Sequence, residues 1–417
     1  MAAISVTSAK TAERLLTVDE ALDRILAGVP SMAAHELPLL EALGAVLAED
    51  ARADHDVPPF TNSAMDGYAV RGEDVLSAPA RLRVVGDIAA GASPTRAVAR
   101  GEAIRIMTGA PMPEGADTVV RVEDTDNGLE LVTIHVATQR GVSVRERGED
   151  LRAGETVIPQ GTVLRAAEIG VLATTGRARV RVVRRPRVAV LSTGDEVVEL
   201  EAPIGPGQIR DANRYSLSAA VRAAGCVPWT LGIVRDSATA LRAALREAVA
   251  ADAIVTSGGV SVGDHDHVKP VVSELGTMDF WSIAIRPGRP LAFGELRDGD
   301  RRVPIFGLPG NPVSSLLTFE LFVRPALLRM AGQAVVDRPR ARARLLERID
   351  KPAQLRFFAR GIHDAGAGTV RTTGPQGSGI LRSMALANCL IDLPEGRDRH
   401  EPGETVELIL TDQPEPR

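Results

Sequence analysis

The segment VAVLSTGDE, residues 188–196, decides how the chain is read. Val188 to Leu191 is an unbroken apolar run of strand length, the pattern of a strand covered on both faces, and it ends in a glycine set among hydroxyls and acids. The same arrangement recurs downstream. Asn213 to Ala224 reads as a helix closed by Gly225, Thr230 to Val234 as a strand, and Ser237 to Ala250 as a helix. Ile254 to Thr256 and Val303 to Leu308 read as further strands, the last followed by a long helix from Pro312 to about Met330. Alternation of this kind predicts a doubly wound parallel α/β domain.

Outward from this unit the pattern changes. Thr17 and Glu20 form a capping box ahead of Val18, Ala21, Leu22, Ile25 and Leu26 on one face, which predicts a helix over about 18–28. Between about 80 and 165, short β-prone runs (Arg81 to Val85, Ala103 to Met107, Thr118 to Glu123, Leu129 to Val136) alternate with Gly and Pro clusters, predicting an all-β insertion. The Arg- and Pro-rich strip from Val180 to Arg187 reads as a linker. After Arg338, short β runs with Gly-rich turns predict a small C-terminal β domain.

A chain of 417 residues with 44% hydrophobic residues has the length and the apolar material for several cores. Its 49 basic and 54 acidic residues give a net charge of −5 with no block of like charge, which argues against a nucleic-acid stripe or a polybasic membrane patch. The expected partner is a small molecule. Cys226 and Cys389 stand far apart outside any CxxC pattern and are expected to be buried free thiols. No signal-peptide pattern or membrane-spanning run is present, so a cytoplasmic location is expected.

In an open α/β sheet, ligands bind beyond the carboxyl ends of the strands. Here those ends carry Thr193-Gly194-Asp195-Glu196, then Arg235-Asp236, then TSGGVSVGDHD at 256–266, then LPGNPVSS at 308–315. Glycines let backbone N–H groups approach a phosphate, and Asn311 as N-cap with Pro312 at the first helical position offers a helix start to an anion. Carboxylates among phosphate-binding loops point to a divalent cation between them, and hard oxygen ligands suit Mg²⁺. Glu196, Asp236, Asp264 and Asp266 are the candidate ligands. His265 and His267 lack a third ligand of clear spacing, so a surface or substrate-facing role is preferred to zinc. Arg286 and Arg289 flank a Pro-Gly turn, and guanidinium groups suit an oxyanion.

Seven motifs together resemble one family over nearly the whole chain: NSAMDGYAVR at 62–71, TGAPMPEGADTVV at 108–120, RGED at 147–150, STGDE at 192–196, TSGGVSVGD at 256–264, RPGRP at 286–290 and LPGNPVSS at 308–315. This is the molybdopterin molybdenumtransferase family of the MoeA and gephyrin E-domain type. The resemblance implies an N-terminal helix on the central domain (1–30), an elongated linking domain (31–55 and 148–186) and an inserted β-rich domain (56–147). It further implies a central molybdopterin-binding α/β domain (187–332) and a C-terminal β domain (333–417).

The implied reaction takes adenylylated molybdopterin and molybdate, cleaves the phosphoanhydride with the help of Mg²⁺, releases AMP and leaves molybdenum on the dithiolene. By motif match, Asp150, Glu196, Asp236 and Asp266 correspond to the catalytic acids, the last three also to metal ligands. The substrate-binding positions implied are Thr108, Thr193, Gly194, Asp195, Ser257, Gly258, Gly259, Asp264, Pro309, Gly310 and Asn311, with Arg286, Arg289, Arg360 of FFARG and Ser378 of PQGSG on the anion side. The family's homodimer shares its sites between subunits, and the molybdopterin adenylyltransferase is an implied partner. Thr61 stands where most members carry an acid, and Ser282 where many carry a lysine. One acid and one base are lost together, which is compatible with an active enzyme; a paralogue of reduced or altered activity is the competing reading. A gephyrin-like scaffold and an adenylyltransferase compete as functions of a different class. The retained acids speak against the first and the multidomain layout against the second.

Overall fold

The structure, a computed structural model, describes residues 15–258 and 268–411. By internal packing the chain divides into two units, one of residues 1–35, 44–48 and 182–417 and one of residues 36–43 and 49–181.

In the first unit, helix α1 (Val18–Gly28) has both halves of its capping box, Thr17 accepting from the Glu20 N–H and Glu20 from the Thr17 N–H. The central sheet is built from β1 (Arg187–Thr193), β2 (Val227–Val234), β3 (Ala253–Ser257), β4 (Gly276–Ser282), β5 (Pro290–Asp298) and β6 (Arg301–Leu308) in the order β2-β1-β3-β6-β5-β4. The first four strands of that order are parallel; β5 and β4 then run antiparallel. These two strands were not anticipated. Helices α2 (Ala212–Ala223), α3 (Ala238–Ala248), α4 (Val268–Leu275) and α5 (Pro312–Thr318) cover the sheet. A π turn over Phe319–Val323 joins α5 to α6 (Arg324–Met330), so the expected long helix is widened at its middle.

The period of two along each strand makes two cores. Val188, Val190, Val255, Phe306 and Leu308 point to the face that buries Val18, Ala21, Ile25, Leu217, Phe322 and Leu327. Ala189, Leu191, Ile254 and Ile305 point to the other, against Leu241, Leu245, Val271 and Val272. The chain goes outward from β1 to β2 and then returns to place β3 on the opposite side of β1. That reversal puts the switch point between the carboxyl ends of β1 and β3, where a crevice opens.

The C-terminal strands β7 (Arg340–Leu345), β8 (Arg356–Asp364), β9 (Thr369–Thr372), β10 (Cys389–Leu393) and β11 (Thr405–Leu410) pair in the ring β8-β9-β7-β11-β10 and back to β8, a closed barrel. Leu345, Phe357, Val370, Ile391 and Leu408 fill it. Phe358, Leu390 and Ile409, on the opposite face of their strands, belong to the α1-side core of the central sheet. Both cysteines are buried and free, and burial raises each thiol to about 12.

Buried His400 faces Glu404 through Nδ1 at 3.4 Å and leaves Nε2 without a partner among the described residues. Burial first, and the charge of Arg397 second, hold the imidazole below its ordinary value, with Glu404 pulling the other way. The unfolded chain therefore takes up the proton first. Stability is complete above about pH 6.5 and declines as pH falls toward the folded value. Melting temperatures measured from pH 7.5 to 5.5 should fall, with a shallower fall in His400→Gln; equal slopes would remove His400 from the account.

In the second unit a five-stranded sheet runs Thr118–Arg121, Gly67–Val70, Glu102–Ile106, Ala80–Ile88, Leu131–Ile134. Tyr68, Val70, Ala103, Val120 and Val132 pack on one side and Ala69, Ile104, Ile106 and Val119 on the other. The strip read as a linker is partly strand: at the end of Arg179–Val183, Val182 and Val183 pair with Leu47 and Val46, all four within the first unit. Its arginines point outward and its valines inward.

Candidate functional site

Three loops meet at the switch point because glycines let their backbones touch. Gly194 has φ +139°, and a Cβ there would fall 2.6 Å from a Glu196 carboxylate oxygen, so the Glu196 side chain folds over it. Gly258, at φ +91°, lies against Thr193: a Cβ would be 2.8 Å from the Thr193 carbonyl. The Gly310 position is 3.9 Å from the Gly258 Cα, measured the same way. Side chains at Gly194 and Gly258 would be strained as well as crowded. The result is a cleft of about 110 Å³ lined by Thr193, Glu196, Asn213, Ser257, Gly258, Gly310 and Pro312, among others.

The acids divide. Glu196 lines this cleft. The Asp195 carboxylate accepts from the Asp236 N–H at 3.4 Å and sits 3.7 Å from Arg235, tying the end of β1 to the end of β2. Asn311 is the N-cap of α5 and Pro312 its first residue, as expected, but the Asn311 side chain makes no capping bond. Pro309 lies on the same β6-to-α5 connection. Gly259, Asp264, His265, Asp266 and His267 fall outside the described residues. Among the described residues no three His, Cys, Asp or Glu side chains stand together as a metal site.

Beside α5 lies a basic group. The turn at Gly288, φ +98°, packs so closely on α5 that a Cβ would be 2.8 Å from the Thr318 methyl. The preceding strand, Ile285–Arg286, pairs with β8 at Arg356 and Phe357, and Arg286 lies 5.8 Å over the Phe357 ring. Residues two apart on a strand share a face, so Arg360 follows Phe358 and is wholly buried. Its Nε donates to Ser383 Oγ at 3.1 Å and one Nη to the Gly377 carbonyl at 3.2 Å; the other Nη has no partner among the described residues. Burial, and then the charge of Arg286, bring this guanidinium down to about 10. Ser378 is held by its carbonyl, which accepts from the Val313 N–H of α5 at 3.1 Å. Arg289 is exposed, its carbonyl accepting from the Ile283 N–H. Two neighbouring cations with an unfilled buried donor and no acid on Arg360 among the described residues make a place suited to an oxyanion.

In the second unit, Thr108 donates through its hydroxyl and its backbone N–H to Asp66, at 2.6 and 2.7 Å. Those two bonds keep the Asp66 carboxyl below the ordinary carboxylate range. Asp150 is anchored by its N–H on the Val57 carbonyl. Thr61 donates to Glu146 at 3.1 Å, so an acid stands beside it. Ser282, at the end of β4, accepts the Leu16 N–H on its carbonyl. Asp66, Asn213, Gln376 and Ser383 were not singled out from the sequence. Asp66 lies inside the NSAMDGYAVR motif; Gln376, which brackets the Arg360 backbone at 2.8 and 3.3 Å, lies in PQGSG.

A glycine-walled cleft at a parallel-sheet switch point, with a buried arginine that no acid neutralises among the described residues, defines an α/β protein built to hold anionic small molecules. Comparison with known proteins is specific. The chain matches the MoeA N-terminal region (domain I and II) over residues 16–176, a probable molybdopterin binding domain over 189–329, and the MoeA C-terminal region (domain IV) over 342–411. It is 41% identical over 370 residues to molybdopterin molybdenumtransferase 2 of Mycobacterium tuberculosis H37Rv, covering 86% of this chain and 90% of that one. Against the molybdopterin molybdenumtransferase of Haemophilus influenzae it is 38% identical over 401 residues, covering 94% and 98%. The crystal structure of the molybdopterin biosynthesis MoeA protein from Pyrococcus horikoshii OT3 superposes with a TM-score of 0.82 at 29% identity, covering 95% of this chain and all of that one. The chain belongs to the molybdopterin molybdenumtransferase family and is a transferase.

Proposed function

We propose that this transferase acts in molybdenum cofactor synthesis by taking adenylylated molybdopterin and molybdate together, cleaving the phosphoanhydride with release of AMP and leaving molybdenum on the dithiolene. One observation carries the reading: the start of α5 serves two anion-ready places at once. Gly310 and Pro312 line the cleft at the switch point, while Val313 holds the Ser378 loop, whose Gly377 carbonyl accepts from Arg360. A reaction between an oxyanion and a phosphorylated co-substrate needs two such places side by side.

The cleft takes the phosphates, through the N–H groups of its glycine loops and the Ser257 hydroxyl; the Arg286, Arg289, Arg360 and Ser378 group takes molybdate. Cleaving an anhydride between phosphates needs charge neutralisation and positioning more than a protein nucleophile. Glu196 and Asp236 offer the hard oxygens that Mg²⁺ prefers, with Asp266 as the third ligand of the proposal. Magnesium would offset phosphate charge there. Asp150 is the remaining catalytic acid of the proposal, and Thr108 completes the site from the second copy of a homodimer, acting in the cytoplasm. No helix among the described residues is long and apolar enough to cross a membrane.

The test is incubation with adenylylated molybdopterin. Molybdate-dependent AMP release is expected, and binding without turnover would identify a scaffold instead. Dilution below the dimer dissociation constant should abolish release, since a shared site exists only in the pair. Full turnover by a monomer, identified by light scattering, would refute the shared site.

A further inference from the structure

Asn213 occupies the second position of α2 and is a lining residue of the cleft, yet nothing in the reaction proposed above uses it. Its Nδ2 donates to two acceptors, Ser257 Oγ at 2.7 Å and the Gly310 carbonyl at 2.7 Å. A carbonyl can only accept, so the Gly310 contact fixes which end of the amide is nitrogen. Asn213 Oδ1 is thereby turned away, buried and without a partner among the described residues. A buried acceptor left without a donor is unfavourable, and it is tolerated where the other end of the group has work to do.

That work follows from the chemistry of a hydroxyl, which has one hydrogen to donate and lone pairs to accept with. Ser257 is buried at the carboxyl end of β3. Because Asn213 donates into the Ser257 oxygen, the hydroxyl hydrogen cannot point at Asn213 and is left for another acceptor. Among the described residues the Ser257 hydroxyl makes no hydrogen bond besides the one it accepts from Asn213, and the Thr193 hydroxyl is directed at the Ser257 carbonyl, at 3.5 Å. We infer that Asn213 is a positioning residue that turns the Ser257 hydroxyl into a committed donor toward a phosphate oxygen in the cleft, and holds the Gly310 carbonyl back from that phosphate. The inference rests on the reading of the cleft as the phosphate site. It adds the residue that sets the polarity of the site: without the amide, an acceptor-rich rim of Glu196 and the Gly310 carbonyl would face an anion.

The isosteric variant Asn213→Asp separates this role from a structural one. An ionised carboxylate at that position accepts from Ser257, reversing the hydroxyl, and faces the Gly310 carbonyl with like polarity. A protonated carboxyl has one O–H to donate and restores half of the original arrangement. Inorganic pyrophosphate is the probe, titrated calorimetrically into the full-length protein. Asn213→Ala and Ser257→Ala should each raise the dissociation constant about tenfold or more, the scale of a hydrogen bond to a charged group, and the double variant should be little worse than either single one. The ratio of Asn213→Asp to wild-type affinity should rise as pH falls from 8 to 5, while the ratio for Asn213→Ala stays flat. A flat ratio for Asn213→Asp, or additive losses in the double variant, would overturn the inference. So would wild-type protein that does not bind pyrophosphate; molybdate-dependent AMP release would still stand as its own measurement, so the two readings fail separately.

Discussion

Glu196→Ala and Glu196→Gln are each expected to lower AMP release by about 100-fold or more while moving the melting temperature by no more than a degree or two. Glu196 folds back over Gly194 at the mouth of the cleft, so its carboxylate is in place before any ligand arrives. Its removal deletes charge where the proposal needs a cation to be held, and Gln keeps the shape while losing the charge. An exposed acid at a strand end contributes little packing, which is why activity and stability should separate. Asp236→Ala should behave alike. Full AMP release by these variants, at saturating magnesium, would remove them from the site.

Arg360→Met should likewise separate function from stability, with molybdate binding lost and the fold no weaker. A cation buried without a carboxylate is costly to desolvate, and the two hydrogen bonds to Ser383 and Gly377 return only part of that cost. An apolar chain of similar length avoids the cost altogether. We expect the melting temperature of Arg360→Met to equal or exceed the parent's, and molybdate, which should raise the parent's, to leave it unchanged. Arg360→Lys should also fail to bind molybdate, since an ammonium cannot reproduce the planar fork that reaches Ser383 and Gly377 together. A loss of several degrees in Arg360→Met, with molybdate binding intact, would make the arginine a structural residue.

Local rules explain what the sequence made legible. The α1 boundaries followed from Thr17 and Glu20, which satisfy each other three residues apart. Strands β1, β3 and β6 were visible because both faces are covered and their apolar runs are unbroken. The antiparallel pair β4 and β5 was not. Gly276, Asp279, Pro290 and Gly294 interrupt any run, and what holds these strands is a register with one another and with β6. In Arg179–Val183 a clean alternation was present and was outweighed by the reading of arginines as linker. The motif pointed to Arg360, but nothing local says that an arginine is fully buried, because arginines rarely are. Asn213 acts on partners 44 and 97 residues away; distances of that order leave no local pattern.

The placement of α1 has a consequence for synthesis on the ribosome. Val18, Ala21 and Ile25 are buried against Phe306, Phe322, Leu327 and Ile409, all translated after the whole of the second unit. At typical elongation rates of about 5–20 residues per second, the first helix waits roughly 15–60 s for the surface that covers it. Throughout that interval Val18, Ala21 and Ile25 lack the surface that buries them, and an 11-residue helix is marginal on its own. This segment therefore stays open to a nascent-chain chaperone until the central core is complete, and slowing translation after it lengthens that exposure.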